Sequence, residues 1–147
     1  MTVEDPKGSF VRWQSITIGQ LTYAINLILS FSVATLGFQV TLLLSDKFKP
    51  VSWQKCSFSL SLFLLFASII LGVLVVINRL RDFRATTKAA RKREEGALEK
   101  DIEQYQILYR KLGKSTWYLF WWQLGTFSVG VFFTVLSVWA SASAKLL

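Results

Sequence analysis

NRLRDFRATTKAARKREEGALEKDIEQYQILYRKLGK, residues Asn78–Lys114, holds most of the charge of a chain otherwise nearly bare of it. Apolar runs lie on both sides, Cys56–Ile77 before and Trp117–Ala144 after. Each is long enough to supply the roughly 20 residues with which a helix crosses the hydrocarbon of a bilayer. A further run, Leu21–Leu44, precedes both, and between Trp13 and Ser45 tyrosine is the only ionisable residue type. The pattern predicts an all-α integral membrane protein with three transmembrane helices and a cytosolic helical hairpin between spans two and three. The expected segments of this single membrane domain are a tail (1–15), span one (16–45), an outer loop (46–55), span two (56–77), the hairpin (78–114) and span three (115–144).

Composition agrees, since 52% hydrophobic and 15% aromatic residues in 147 lie outside the usual soluble profile. A net charge of +8 would suggest nucleic acid as partner for a soluble protein, but Lys and Arg also collect on the cytoplasmic side of membrane proteins. Their distribution decides the orientation. Arg79, Arg81, Arg84, Lys88, Arg91, Lys92 and Arg93 crowd the segment after span two, and Lys7 and Arg12 lie in the tail; Lys47, Lys49, Lys55 and Lys145 face them from the other side. The tail and hairpin are therefore expected in the cytosol and the C-terminus outside. The first apolar run far exceeds the roughly 7–15 residues of a signal-peptide core, so span one is expected to serve as its own insertion signal. Trp13, Trp117, Trp121 and Trp122 fall at the expected inner interface, and Trp53 and Trp139 near the outer one.

Within the charged segment, Leu98, Ile102, Tyr105, Tyr109 and Leu112 recur in steps of four and three, the spacing of a packed helix pair. Leu80, Phe83, Thr87 and Ala90 form a weaker seam in the first half, and Gly96 between them is a candidate helix cap. An antiparallel hairpin turning near Gly96 would bring the seams together. The basic arm is expected to touch anionic headgroups of the cytosolic leaflet. A sharper reading makes it a site for a nucleotide, an oligonucleotide or another anionic messenger, although no phosphate-cradling glycine loop accompanies it.

Small and hydroxyl residues line one face of each span. Asn26, Ser30, Gly37 and Thr41 do so in span one, and Gln123, Thr126, Gly130, Thr134 and Ser137 in span three. Ser57, Ser61, Ser68 and Gly72 repeat the arrangement in span two. Such faces let helices approach closely and hydrogen-bond where lipid offers no partner. They are expected to serve helix packing or, in a homo-oligomer, to line an aqueous path. Gln39, deep in span one, is expected to bridge helices.

No Asp, Glu, Lys or Arg lies inside a span, which argues against a proton relay or an ion-coupled carrier. The chain has no histidine and one cysteine, Cys56, expected to act as a small apolar or interfacial residue. No catalytic residue, cofactor site or metal site is expected, because neither a nucleophile-base set nor a ligand spacing can be assembled.

The pair Leu21–Leu44 and Cys56–Ile77, followed directly by the charged helix Arg79–Arg93, resembles the layout of SLATT-type bacterial membrane effectors. The third span lies outside that likeness. What the resemblance implies is an inner-membrane protein that forms a pore on command of a nucleotide or other signal in phage defence. Two functions therefore stand as expectations. One is a homo-oligomeric, pore-like effector controlled through its hairpin; the other is a non-conducting anchor or assembly subunit that docks a cytosolic protein there.

Overall fold

The computed structural model describes residues 6–45, 52–96 and 99–146, with side chains described for 16–45, 52–96 and 103–143. These residues form three helices, α1 (Pro6–Leu43), α2 (Ser52–Glu94) and α3 (Glu99–Leu146), and no strand occurs among them. Proline opens α1 where its missing N–H costs nothing. α2, with 43 residues, and α3, with 48, outrun their apolar stretches. At about 1.5 Å per residue they are roughly 65 and 72 Å long.

α2 passes from Ile77 into the charged segment as one helix, since neither Pro nor Gly interrupts it before Glu94. It also begins earlier than the expected outer loop allows, taking in Ser52–Lys55. Hydropathy marks where the surroundings change, and a helix does not end there. Residues 46–51, the rest of that loop, lie outside the described residues.

The turn between α2 and α3 starts where Gly96 adopts φ of 70°, a left-handed conformation that glycine enters without Cβ penalty. Glu95 N–H donates to Arg91 O at 3.0 Å and Gly96 N–H to Arg93 O at 3.3 Å, capping carbonyls of the last turn. Arg91, Lys92 and Arg93 in that turn complement its negative dipole end.

α2 packs along most of α3, and α1 lies mainly on α2. Cross-links give the directions. Ser57 meets Ser137, Ser61 meets Thr134 and Asn78 meets Leu112, so α2 and α3 are antiparallel. Gln39 meets Ser61, Ser32 meets Ser68 and Arg79 reaches Ile18, so α1 is antiparallel to α2.

The bundle is apolar outside and polar within. Phe31, Phe63, Phe132, Val135 and Trp139 are exposed, while Ser32, Gln39, Ser61, Ser68, Gln123 and Ser137 are fully buried. A water-soluble bundle sorts its residues the other way. All three helices are long and apolar enough to cross a membrane. Apolar packing concentrates toward the charged end, where Ile25, Ile28, Val75 and Phe120 form a buried cluster with Leu21, Leu119 and Phe127 against it.

In the hairpin arms the first seam differs from expectation. Leu80 and Phe83 are exposed, as are Thr87 and Ala90, and Ala85 and Ala89 carry the buried contact instead. Small side chains fit the narrow space between two long antiparallel helices, which leaves the larger residues outside. On the second arm Tyr105, Tyr109 and Leu112 are half-buried, and Lys92 Nζ sits 5.3 Å from the Tyr105 ring centroid. Leu98 and the Ile102 side chain lie outside the described residues.

Candidate functional site

Polar side chains join the helices in layers. Nearest the α3 C-terminus, Ser141 Oγ donates to Gln54 Oε1 at 3.3 Å and Ser137 Oγ to Ser57 Oγ at 3.1 Å. The next layer ties all three helices together. Gln39 Nε2 donates to Ser61 Oγ and to Thr134 Oγ1, each at 2.6 Å, and both hydroxyls reach Gly130 O, at 2.7 and 2.9 Å. That orientation uses both carboxamide protons and both hydroxyl protons, leaving Gln39 Oε1 buried without a partner. Gly130 sits close under Leu65, since a Cβ there would stand 3.0 Å from Leu65 Cγ and oblige it to shift.

Further along, Ser32 Oγ lies 3.2 Å from Ser68 Oγ, which reaches Gln123 O at 3.2 Å. The Gln123 carboxamide is fully buried, and neither its Nε2 nor its Oε1 finds a partner. It is held against the bare backbone of Gly72, where a Cβ would come within 2.6 Å of Nε2. Beyond this, Asn78 Nδ2 donates to Leu112 O at 3.0 Å and to Thr116 Oγ1 at 2.9 Å, locking the hairpin base. Hydrogen bonds of this kind between membrane helices average about 0.6 kcal/mol and reach about 1.7.

Gln123, Gly130, Thr134 and Ser137 are thus buried against α2, with Thr126 at the margin donating to Trp122 O. The span-one stripe lies elsewhere. At about 100° per residue, Asn26, Ser30, Gly37 and Thr41 fall opposite Ile25, Ser32 and Gln39, and all four are exposed. Thr41 Oγ1 donates to Gly37 O at 3.0 Å, whereas the Asn26 carboxamide makes no hydrogen bond among the described residues. A Cβ at Gly37 would meet nothing within 4 Å.

Of the basic arm, Arg81, Arg84, Lys88, Arg91 and Arg93 are exposed and Lys92 is half-buried. The Arg91–Glu95 pair at 2.7 Å is an exposed i,i+4 contact of small energetic weight. Arg79 differs from these. Its Nη2 donates to Ile18 O at 2.8 Å and its guanidinium lies 5.8 Å from the Phe83 ring centroid, while Nη1 is buried without a partner. Arg79 and Asp82 both lie past Ile77, beyond the apolar run, and no direct ion pair joins them among the described residues. Burial holds the Arg79 pKa below its ordinary value and the Asp82 pKa above, each shift partly offset by the opposite charge of the other.

Two cavities flank Arg79. One of about 510 Å³ opens where all three helices meet, and one of about 300 Å³ lies between α1 and α2. Cys56, at the other end, is exposed. Among the described residues no cluster of three or more His, Cys, Asp or Glu side chains comes together.

Sequence reading alone did not identify Ser32, Gln54, Asn78 and Thr116 as helix-joining residues. Asn78 and Thr116 flank the apolar runs, where a polar residue attracts no notice; Thr116 alone carried a signal, lying seven residues before Gln123 on the face of its span's stripe. Comparison of the chain with protein-family models, with curated proteins and with solved structures gave no match.

Proposed function

We propose that this chain is a three-span membrane protein that assembles with copies of itself through α1, and that its α2–α3 hairpin couples a cytosolic signal to a pore at the assembly's centre. The observation that carries this reading is the outward stripe of α1. Ser30, Gly37 and Thr41 are exposed on the face of α1 turned away from α2 and α3, Asn26 is exposed at the border of that face beside α2, and the Asn26 carboxamide has no hydrogen-bond partner among the described residues. A carboxamide facing hydrocarbon is costly unless another chain or water hydrogen-bonds it. Away from the Arg79 end, fully buried side chains such as Gln39, Leu65 and Gln123 occupy the space between the three helices, so an aqueous path requires several copies.

The lengths of α2 and α3 support the coupling. Each runs from its span into the hairpin as one helix, so a displacement at the hairpin is carried into the spans. The exposed tryptophans support the placement in a bilayer. Trp117, Trp121 and Trp122 mark one level and Trp53 and Trp139 another. At about 1.5 Å per residue of α3, these levels are roughly 26–33 Å apart, close to the hydrocarbon thickness. The lysine and arginine bias supports a cytosolic hairpin and an outside C-terminus, and the resemblance to SLATT-type effectors supports a bacterial inner membrane.

Efflux from liposomes tests the reading. Reconstituted protein is expected to release ions or a small dye, and Asn26→Leu with Ser30→Leu is expected to abolish release while helix content is preserved. A stable monomer in lipid that leaves the vesicles tight refutes it.

One observation favours a non-conducting anchor instead. Ile107 and Leu108 are exposed on the second hairpin arm, about 15 Å along the helix from Trp117. Under that reading Ile107→Ser with Leu108→Ser releases a soluble protein that otherwise copurifies, and vesicles stay tight with and without the changes.

A further inference from the structure

The two cavities at Arg79 differ in character. The larger is lined by residues of all three helices, among them Arg79, Arg110, Tyr109 and Trp117, with Asp82 as the acid. Two guanidinium groups against one carboxylate leave its wall net positive. The smaller is a slot between α1 and α2 walled by Ile25, Val76 and Leu80, with Thr22 and Asn26 at its edge. Arg79 and Phe83 line both, so the spaces adjoin.

Their order along the bundle follows from the antiparallel packing of α1 and α2. Ile25 and Val76 lie nearer the middle of the apolar length than Ile18 and Arg79. A polar, cationic chamber therefore stands at the level of Trp117, and an apolar slot descends from it toward the bilayer centre. A soluble anion would use the chamber alone. An amphiphile uses both.

Arg79 is held at the junction. Ile18 O accepts from Nη2, Phe83 flanks the guanidinium, and Nη1 is buried with no protein acceptor among the described residues. A turn about the last torsions of the side chain presents that N–H to an anion in the chamber, and guanidinium matches phosphate oxygens in pairs. We propose that the two cavities form one site for an anionic glycerophospholipid, with its phosphodiester at Arg79 and Arg110 and an acyl chain in the slot between α1 and α2. The proposal rests on insertion in a bilayer and does not require pore formation, although Asn26 belongs to both the slot and the proposed assembly face. It also differs from the general attraction of a basic helix for anionic headgroups, which would treat Arg79 and Arg84 alike.

Native mass spectrometry of the full chain in non-ionic micelles tests this, with phosphatidylglycerol, phosphatidylcholine and glycerol 3-phosphate as probes. The expected result is one phosphatidylglycerol retained per protomer, with weaker retention of the other two. Arg79→Gln is expected to weaken retention about tenfold, the scale of one lost charge-assisted contact. Arg84→Gln, an exposed position outside both cavities, is expected to change nothing. Thr22→Phe, which fills the slot without altering charge, is expected to weaken the lipid and leave glycerol 3-phosphate unaffected. Circular dichroism of each variant separates lost binding from lost fold, and Arg79→Lys is expected to recover part of the retention. Equal losses with Arg79→Gln and Arg84→Gln would overturn the site in favour of diffuse charge. Glycerol 3-phosphate bound as tightly as lipid, or phosphatidylcholine as tightly as phosphatidylglycerol, would overturn the class of ligand. A chain that fails to enter micelles or vesicles at all contradicts the membrane reading instead.

Discussion

Replacing Gly72 with alanine probes a close approach of α2 to the Gln123 side chain of α3. An added Cβ would stand 2.6 Å from Gln123 Nε2, 3.2 Å from its Cδ and 2.9 Å from Leu29 Cδ1. Contacts this short force a neighbour to move, and Gln123 is fully buried with little space to turn into. Overpacking of this kind costs about 1–3 kcal/mol, partly offset by about 1 kcal/mol from the better helix propensity of alanine. A net loss of up to about 2 kcal/mol is expected, against a gain of up to about 1 kcal/mol for an alanine that meets nothing. The same change in a Gln123→Ala background meets only the end of Leu29, which can rotate away, so its cost should fall by about 1 kcal/mol or more. Coupling of that size is well above the roughly 0.3–0.5 kcal/mol within which independent sites add. Reversible unfolding in mixed micelles, followed by far-ultraviolet circular dichroism, measures all four proteins of the cycle. Gly125→Ala serves as control, because a Cβ there meets nothing within 4 Å. Additive effects of Gly72→Ala and Gln123→Ala, or a Gly72→Ala protein as stable as Gly125→Ala, would refute the packing described for this layer.

Three further outcomes are expected. Asn78→Ala removes the donor to Leu112 O and Thr116 Oγ1 but leaves Thr116 Oγ1 donating to Leu112 O, so it should cost about 0.5–1.5 kcal/mol in the same unfolding assay. Gly96→Ala places a Cβ at φ of 70° and should destabilise by about 1 kcal/mol, with Gly96→Asn costing less because asparagine tolerates that conformation. A cysteine at exposed Gln104, in a Cys56→Ser background, should react with an impermeant maleimide in inverted vesicles and stay unlabelled in intact cells.

The small and hydroxyl faces of α2 and α3 were legible in the residues, but not which helix each would meet. Ser57, Ser61, Ser68 and Gly72 on one helix and Gln123, Gly130, Thr134 and Ser137 on the other stand at packing intervals, and the structure brings them together. α1 was harder, because it carries two polar faces. The denser one, Asn26 to Thr41, points outward, and the inward one relies on Ser32 and Gln39, whose value depends on finding Ser68, Ser61 and Thr134 at the right height. That is a matter of register between distant segments, which periodicity within a helix does not contain. The hairpin illustrates the same limit. Hydrophobicity favoured Leu80 and Phe83 as contacts, whereas the spacing between two long helices selects Ala85 and Ala89. The chamber at Arg79 draws on residues from all three helices, so its composition emerges only when they are docked.

Disulfide cross-linking in native membranes tests the proposed assembly through α1 most directly. Single cysteines at Ser30 and at Gly37, each in a Cys56→Ser background, are compared with a cysteine at Val135, an exposed position on α3. Cross-linked dimers at Ser30 and Gly37 and their absence at Val135 are the predicted result. No cross-linking at either α1 position, or cross-linking equal to that at Val135, would contradict assembly through α1.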